Sequence, residues 1–103
     1  MKDFRILPPV TGEVAEAADW YDGHGFPGLG DRFIRTFYLS VASLQEHGEV
    51  HKLVYLNFRR VLLKPFPYLV YYAYRGDLLV ISLVIHAARS PQLVRAVLRQ
   101  RNP

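Results

Sequence analysis

The chain has 103 residues, of which 50% are hydrophobic, and it has no cysteine and a formal net charge of +4 at pH 7. This composition excludes a disordered chain, a disulfide scaffold and thiolate chemistry, and no apolar run approaches the roughly 20 residues that cross a bilayer. The start, MKDFRILPP, lacks the apolar core of a signal peptide, so we expect one cytoplasmic domain over residues 1–103 with no membrane partner.

The charge is divided unevenly between the two halves of the sequence. Residues 1–50 carry four basic and eight acidic side chains, a balance of −4, whereas residues 51–103 carry nine basic side chains and one acid, a balance of +8. Such a division predicts one face that meets an anion, either nucleic acid or an acidic protein segment. The alternative is a basic surface that is solvated and has no partner.

The chain begins with a predicted strand and a predicted helix. Phe4–Leu7 is a strand candidate that Pro8-Pro9 terminates, because proline removes backbone donors and fixes φ. Thr11 offers an N-cap oxygen for a first helix, along which apolar residues recur at helical spacing. This helix is expected to end near Asp22-Gly23, where a glycine-rich turn region follows.

A second amphipathic helix is predicted over Leu29–His47, with Gly48 as its C′ residue. Two helices joined by a short glycine-rich loop predict an antiparallel hairpin laid on a sheet. The spacing Gly23-x-Gly25-x-x-Gly28 in that loop matches a dinucleotide fingerprint, but it follows a helix rather than a strand and Pro27 interrupts it. We therefore reject a nucleotide site.

Three consecutive antiparallel strands are predicted in the second half, over Asn57–Lys64, Tyr68–Tyr74 and Leu78–Ile85. The first joint, Pro65-Phe66-Pro67, stops the ladder because it lacks donors, and Arg75-Gly76-Asp77 predicts a tight hairpin. The last two strands are almost continuous in Val, Leu, Ile and Tyr. They are therefore covered on both faces, or covered on one face and awaiting a partner on the other.

The segments on either side of these strands differ in how strongly they are predicted. Within Glu49–Leu56, the segment Leu53–Leu56 is either an early start of the first of these strands or a packed loop. Ser90 and Pro91 predict the start of a short third helix, since serine supplies an N-cap hydroxyl and proline suits the first helical position.

Five motifs carry a resemblance to a known family. In chain order they are Ala17-Ala18-Asp19-Trp20-Tyr21, Gly28-Leu29-Gly30-Asp31-Arg32-Phe33, Arg59-Arg60-Val61-Leu62-Leu63, Phe66-Pro67-Tyr68-Leu69-Val70-Tyr71-Tyr72 and His86-Ala87-Ala88-Arg89-Ser90-Pro91. The set resembles the RelE/ParE toxin superfamily of type II toxin–antitoxin pairs, and within it the ParE-like or plasmid stabilisation branch. The resemblance implies an α+β fold with a β-α-α-β-β-β core, in which a helical hairpin packs on an antiparallel sheet and a short C-terminal helix follows. It also implies a cognate acidic antitoxin, encoded in the same operon, that neutralises the toxin by wrapping it.

The resemblance implies one of two toxic activities. ParE-like members block DNA gyrase without cutting anything, and RelE-like members cut mRNA on the ribosome. Metal-free RNA cleavage needs a group to take the 2′-OH proton, cations for the phosphorane charge and an acid for the leaving oxygen. The chain lacks the lysine cluster of RelE-like enzymes, and Asp77 is the one acid of its second half, so gyrase inhibition is favoured. The third alternative is an inactive or non-toxic binding module of the same fold.

The catalytic residues are unknown from sequence, with His86, Arg89 and Arg60 as candidates. Contacts to the target are predicted for the basic residues Arg59, Arg60, Lys64, Arg75, His86 and Arg89. Contacts to the antitoxin are predicted for the aromatic and apolar residues Trp20, Tyr38, Tyr72, Tyr74, Leu79 and Ile81. No cofactor is expected, and no metal, because the remaining histidines show no ligand spacing and cysteine is absent.

Several of these residues have a structural alternative. His86 can be a hydrogen-bonded residue at the end of a strand, and Arg89 can pair with Asp19 or Asp22 of the first helix. The strand tyrosines can serve in cross-strand packing, and Trp20 can fill the core at the helix–sheet junction.

Alternation along a strand places Arg59 and Arg60 on opposite faces of the sheet, so only one of them belongs to any functional face. An apolar and basic sheet face also predicts that the isolated chain is poorly soluble, and that it binds an amphipathic acidic segment as a helix in a groove or as a strand at a sheet edge.

Overall fold

A computed structural model describes residues 1–102 and shows three helices and four strands in that range. The elements are β1 (Asp3–Ile6), α1 (Pro8–His24), α2 (Leu29–His47), β2 (Arg59–Leu62), β3 (Tyr68–Arg75), β4 (Leu78–His86) and α3 (Pro91–Arg101), with one 3-10 turn at Gly48–Val50. The predicted order of elements is confirmed, and the molecule belongs to the α+β class.

The sheet has the order β1-β4-β3-β2 and is mixed rather than antiparallel. β2, β3 and β4 are antiparallel neighbours, as predicted. β1 lies parallel to β4 at the other edge, with Asp3 opposite Leu78 and Ile6 opposite Ile81. The prediction of an antiparallel sheet is therefore wrong at this edge, because the α1–α2 hairpin crosses the sheet before the chain returns, and such a crossover permits a parallel pair.

The first helix begins earlier than its sequence suggests. The predicted N-cap Thr11 lies inside α1, whose N-cap residue is Leu7, without a capping side-chain hydrogen bond. Pro8 and Pro9 form the start of the helix, and neither has an N–H that a capping side chain would need to satisfy. The two prolines therefore open the helix as well as ending the strand before it.

The strand ends differ from prediction where local turns intervene. β2 is shorter than the predicted Asn57–Lys64, because Phe58 N–H donates to the Tyr55 carbonyl at 2.9 Å and makes a tight turn just before it. Leu53–Leu56 is a loop rather than an early start of the strand, and its residues Val54 and Tyr55 pack against the sheet. The predicted tight hairpin between β3 and β4 is confirmed, with Gly76 at a φ of +59°.

Two hydrophobic cores lie on opposite faces of the sheet. The larger one packs α1 and α2 against the sheet and contains Phe33, Phe37, Tyr72, Leu79 and Ile81. The smaller one lies under α3 and contains Phe58, Tyr71, Ala73, Leu83, Val94 and Leu98. β3 and β4 are therefore covered on both faces, which explains why they are apolar along almost their whole length.

The two hairpin helices meet closely at Gly30. Its N–H donates to Asp22 Oδ1 at 2.7 Å. A Cβ at this position would overlap the Ala18 carbonyl oxygen and the Asp22 carboxylate. The glycine of the sequence motif Gly28–Phe33 therefore permits the close packing of α1 and α2.

Candidate functional site

A cavity of about 150 Å³ opens where the ends of β3 and β4 meet the start of α3. It is lined by Val54, Tyr55, Arg60, Leu69, Tyr71, His86, Ala87, Arg89, Pro91, Val94 and Arg95. This set, which we name the basic cavity, brings together Arg60, His86 and Arg89, the three candidate catalytic residues. β2, the end of β4 and the turn before α3 each supply one of them.

Strand alternation decides which of the two neighbouring arginines of β2 reaches the basic cavity. Arg60 Nη1 donates to the Tyr71 hydroxyl at 3.2 Å on the α3 side of the sheet. Arg59 points to the opposite side, where its Nε donates to the His51 carbonyl at 2.7 Å and its guanidinium lies 5.8 Å from the Tyr74 ring centroid. The prediction that the two face opposite ways is confirmed.

His86 is held at the end of β4 by two contacts. Its Nδ1 accepts a hydrogen bond from Ala88 N–H at 3.0 Å, and its ring packs edge-on to Tyr68 with centroids 5.3 Å apart. The lone pair of the neutral imidazole is therefore used at Nδ1, and its proton sits on Nε2. In this tautomer Nε2–H can donate a hydrogen bond to an anion, but Nε2 cannot take up a further proton.

Arg89 and Arg95 complete the positive lining. Arg89 lies in a turn in which its own N–H donates to the His86 carbonyl at 3.1 Å, and Ser90 Oγ then caps α3 by accepting from Leu93 N–H at 3.2 Å. Arg95 follows one helical turn after Pro91, with its guanidinium 5.7 Å from the ring centroid of Tyr55.

The cations of the basic cavity have no carboxylate partner within residues 1–102. The two ion pairs of that range are Lys2–Glu49 and Glu13–Arg101, and neither reaches the cavity. The alternative in which Arg89 pairs with Asp19 or Asp22 is wrong. Asp22 instead accepts the Gly30 N–H that joins the two hairpin helices.

Three guanidinium groups, an imidazole and two phenol hydroxyls thus surround a cavity with no acidic residue in its lining. Guanidinium groups and hydroxyls donate to phosphate or carboxylate oxygens, so the arrangement is suited to binding an anion. Sequence reasoning missed Arg95 and Tyr55. The spacing of four residues between Pro91 and Arg95 was the available signal, because it places both on one side of a helix.

The other predicted target residues lie outside the basic cavity. Arg75 is at the β3–β4 hairpin, at the opposite end of β3 from Tyr68 and His86. Lys64 follows β2 on the surface, and Arg59 faces the helical hairpin. The structure therefore unites three of the six predicted target residues.

The predicted antitoxin residues divide into exposed and buried groups. Trp20 and Tyr38 are 54% and 51% exposed, so the core alternative for Trp20 is wrong. Tyr72, Leu79 and Ile81 are fully buried, which corrects their assignment to a binding surface. They face the helical hairpin, which the alternation of strand residues alone could not reveal.

Tyr74 is partly buried, and its hydroxyl donates to the Leu44 carbonyl at 2.8 Å. Trp20 instead stacks on His24 at the surface, with ring centroids 4.3 Å apart. Of the predicted antitoxin residues, Trp20 and Tyr38 are thus the two that offer most of their side chain to a partner.

Within residues 1–102, no three His, Asp or Glu side chains are grouped closely enough to hold a metal ion. None of the helices in that range has the length and apolar character needed to cross a membrane.

Comparisons with known proteins identify the fold. No protein-family model matches the chain, and curated proteins give no significant match. Among solved structures, a chain of the chromosomal ParDE TA system from P. aeruginosa is similar, with a TM-score of 0.74 and 13% sequence identity. The match covers 84% of this chain and 96% of that chain. The predicted RelE/ParE-like fold is confirmed.

Proposed function

We propose that the chain is the toxin of a type II toxin–antitoxin pair, acting in the cytoplasm as one domain over residues 1–103. An acidic antitoxin from the same operon holds it inactive until the antitoxin is lost, and free toxin then arrests growth. The fold shared with a chain of a ParDE TA system supports this proposal. The basic cavity supports it as well, because unpaired cations suit an acidic partner or an anionic target.

The proposed mode of action is inhibition by binding, with DNA gyrase as the target, as in ParE-like toxins. The hydrogen bond from Ala88 N–H to His86 Nδ1 carries this choice. It leaves the basic cavity with cations and donors but without a free proton acceptor, and cleavage of RNA requires one for the 2′-OH. Binding to an anionic surface requires only the cations and donors.

Ribosome-dependent cleavage of mRNA is the second candidate. The convergence of Arg60, Arg89 and Arg95 on one cavity favours it, because positive charge and donors stabilise a phosphorane. In this mechanism His86 would give up its hydrogen bond to Ala88 and take the 2′-OH proton. An inactive binding module of the same fold is the remaining alternative, and it predicts no growth arrest.

The deciding experiment is induction of the chain in a host that lacks the adjacent gene. Replication that stops before translation supports gyrase inhibition, and a supercoiling assay with purified gyrase then gives inhibition without cleavage of RNA. Translation that stops first, with cut mRNA on ribosomes, overturns the gyrase proposal in favour of cleavage. Growth that continues overturns both toxic activities.

The His86→Gln variant separates binding from catalysis at the basic cavity. Glutamine keeps an acceptor for Ala88 N–H and a donor for an anion, but it cannot take up a proton at neutral pH. Growth arrest that survives this change supports binding. Loss of mRNA cleavage by about a hundredfold or more supports proton transfer by His86.

Co-expression with the adjacent gene tests the pairing. The expected result is a soluble complex in which growth arrest is relieved. A chain that is fully soluble alone and does not bind the product of the neighbouring gene contradicts the proposed antitoxin.

A further inference from the structure

The second half of β4 has a free edge. β1 pairs with Leu78–Ile81 and ends there, and Leu7 N–H donates to the Ile81 carbonyl as the chain turns into α1. Ser82 is an extra residue in the ladder, because Tyr71 lies opposite Leu83 while the next residue of β3 lies opposite Ile81. No strand within residues 1–102 follows β1 along Ser82–His86.

The backbone of this edge is partly unsatisfied. Ala87 N–H donates to the Pro67 carbonyl at 2.8 Å, so Ala87 directs its backbone groups toward β3. In an antiparallel pair, successive residues of a strand direct these groups alternately toward and away from the partner strand. Val84 and His86 therefore direct their N–H and C=O groups away from β3. Val84 N–H donates to Glu13 Oε1, and the His86 carbonyl accepts from Arg89 N–H. No hydrogen bond within residues 1–102 uses the Val84 carbonyl or the His86 N–H.

A groove of about 410 Å³ runs along this edge between α1 and α3. Its apolar side chains are Ala17 and Trp20 on the α1 side and Leu93 and Val97 on the α3 side, and charged residues of both helices line it as well. We name it the edge groove. Trp20 is 54% exposed because it borders this open space rather than the core.

The two ends of the edge groove carry different charges. Glu13 and Arg101 form an ion pair at the end near Ser82, with Oε2 and Nη1 2.7 Å apart. His86 and Arg89 lie at the other end, and Arg89 has no ion-pair partner within residues 1–102. The groove thus presents a free carbonyl, a free N–H, apolar side chains, the cation of Arg89 and the carboxylate of Glu16.

We propose that the edge groove takes an extended segment of the acidic antitoxin, which adds a strand to β4 at Val84–His86 and places a carboxylate on Arg89. This inference rests on the proposed function. A free strand edge selects an extended backbone, since a helix satisfies its own N–H and C=O groups. The phosphodiester backbone of a nucleic acid fits less well, because phosphates cannot donate a hydrogen bond to the Val84 carbonyl.

The edge groove also explains how such a segment neutralises the toxin. His86 and Arg89 line both the edge groove and the basic cavity. A carboxylate bound to Arg89 from the groove removes a cation that the target needs, and the added strand restrains His86. Antitoxin and target therefore compete for the same two side chains from different sides.

Amide hydrogen exchange in the complex of the full chain with the protein encoded by the adjacent gene tests this inference. The expected result is exchange of the His86 amide slowed by about tenfold or more on complex formation. The Leu62 amide is the matched control. It lies on the opposite edge strand, where Leu63 N–H donates to the Tyr68 carbonyl and Leu62 N–H therefore points away from β3, and its exchange stays unchanged.

A pair of aromatic variants provides the second measurement. Trp20→Ala weakens binding of the adjacent-gene product about tenfold or more in a calorimetric titration, as expected for an exposed aromatic anchor. Phe26→Ala, which removes an equally exposed ring outside the groove, leaves the affinity unchanged.

The outcomes of these experiments are distinguishable. A complex in which His86 exchanges as fast as in the free chain, or in which Trp20→Ala and Phe26→Ala bind alike, overturns the edge groove as the docking site while the toxin–antitoxin proposal stands. Absence of any complex, together with absence of growth arrest, overturns the proposed function and this inference with it.

Discussion

Glu13 of α1 and Arg101 of α3 form an ion pair beside the part of β4 that has no neighbouring strand. Glu13 Oε2 lies 2.7 Å from Arg101 Nη1, and both side chains are largely shielded, at 24% and 19% exposure. Glu13 Oε1 accepts from Val84 N–H at 3.0 Å, and Arg101 Nη1 donates to the Ser82 carbonyl at 3.1 Å. The pair thus satisfies two backbone groups at the free edge of β4.

The two roles of Glu13 can be separated by mutation. Glu13→Gln keeps an oxygen for Val84 N–H but leaves Arg101 without its anion, so we expect a loss of about 1–2 kcal/mol in the free energy of unfolding. Glu13→Ala also leaves Val84 N–H without an acceptor, and we expect the free energy of unfolding to fall by about 3 kcal/mol. Urea denaturation measures both. The control is Glu49→Gln, which breaks the exposed Lys2–Glu49 pair and should leave the midpoint close to that of the wild type. Equal midpoints for all three variants would contradict the role of the pair.

Two glycine-to-alanine changes in the helical hairpin should act in opposite directions. Gly30→Ala places a Cβ against the Ala18 carbonyl and the Asp22 carboxylate, so we expect a loss of about 2–3 kcal/mol as the helices separate. Gly12→Ala adds a methyl group in open space within α1, and we expect a gain of about 0.5–1 kcal/mol. Thermal unfolding measures both. A Gly30→Ala variant as stable as Gly12→Ala would mean that the helices do not cross this closely.

Leu56 is a strained position in the turn before β2. It has a φ of +50°, which costs a leucine about 1–2 kcal/mol relative to glycine. Leu56→Gly should therefore raise the free energy of unfolding by about 1 kcal/mol, even though glycine increases the conformational entropy of the unfolded chain. Leu53→Gly is the control, because Leu53 is as exposed but has no positive φ, and it should be neutral or destabilising. A loss of stability in Leu56→Gly equal to that of the control would contradict the strain.

Stability should fall in alkaline solution because of the buried tyrosines. Burial, and to a smaller extent Tyr74, raises the pKa of Tyr72, whose hydroxyl donates to the Gly48 carbonyl at 2.6 Å. Burial also raises the pKa of Tyr68 and of Tyr74. Phenols in the unfolded chain ionise near pH 10, whereas the folded chain keeps their protons, so this stability is complete below about pH 10 and is lost above it.

The free energy of unfolding, measured by urea denaturation from pH 7 to 11, should therefore stay level and then decline, by up to about 1.4 kcal/mol per pH unit for each tyrosine that remains protonated. Tyr72→Phe should cost about 1 kcal/mol at neutral pH through the lost hydrogen bond, and it should make the alkaline decline shallower. The same slope in both proteins would show that Tyr72 does not contribute to the decline.

The basic cavity can be tested without altering the fold. Arg89→Gln and Arg60→Gln each remove a charged donor, which is worth about 1.5–3 kcal/mol when it binds an anion, so inhibition of the target should weaken by about tenfold or more. Arg35→Gln is the control, because Arg35 is an exposed cation on α2 away from the cavity. The concentration that half-inhibits gyrase supercoiling is the measurement. Equal inhibition by all three variants would remove the cavity from the target site.

Signals that act between neighbouring residues could be predicted from the sequence. The Ser90 cap followed by Pro91 and the turn at Gly76 are both found where the sequence predicts them. Each depends on one residue and the few beside it, so tertiary packing does not change the outcome. Arg60, His86 and Arg89 are candidates on residue type alone, and their convergence on one cavity depends on the pairing of β2, β3 and β4.

Features that depend on distant packing could not be predicted. The direction of β1 depends on where the helical hairpin returns, and no residue near Asp3–Ile6 records it. Tyr72 and Leu79 are buried although the sequence predicts them at a binding surface, and Trp20 is exposed although the core is its structural alternative. A strand or helix pattern shows which residues share a face, but it does not show which face is covered. The sequence does not predict the place of Arg95 in the basic cavity, because charged residues on the polar face of a helix usually contact only solvent.

The parallel pairing of β1 with β4 also determines when the sheet can be completed during synthesis. β1 pairs with Leu78–Ile81, which are synthesised more than 70 residues after it, and Arg89 and Arg95 follow later still. A nascent chain therefore carries β1 without its partner strand until β4 has been synthesised. A chain that stops before β4 lacks both the finished sheet and the Arg89 and Arg95 side chains that line the basic cavity, so it cannot form the anion-binding site described above.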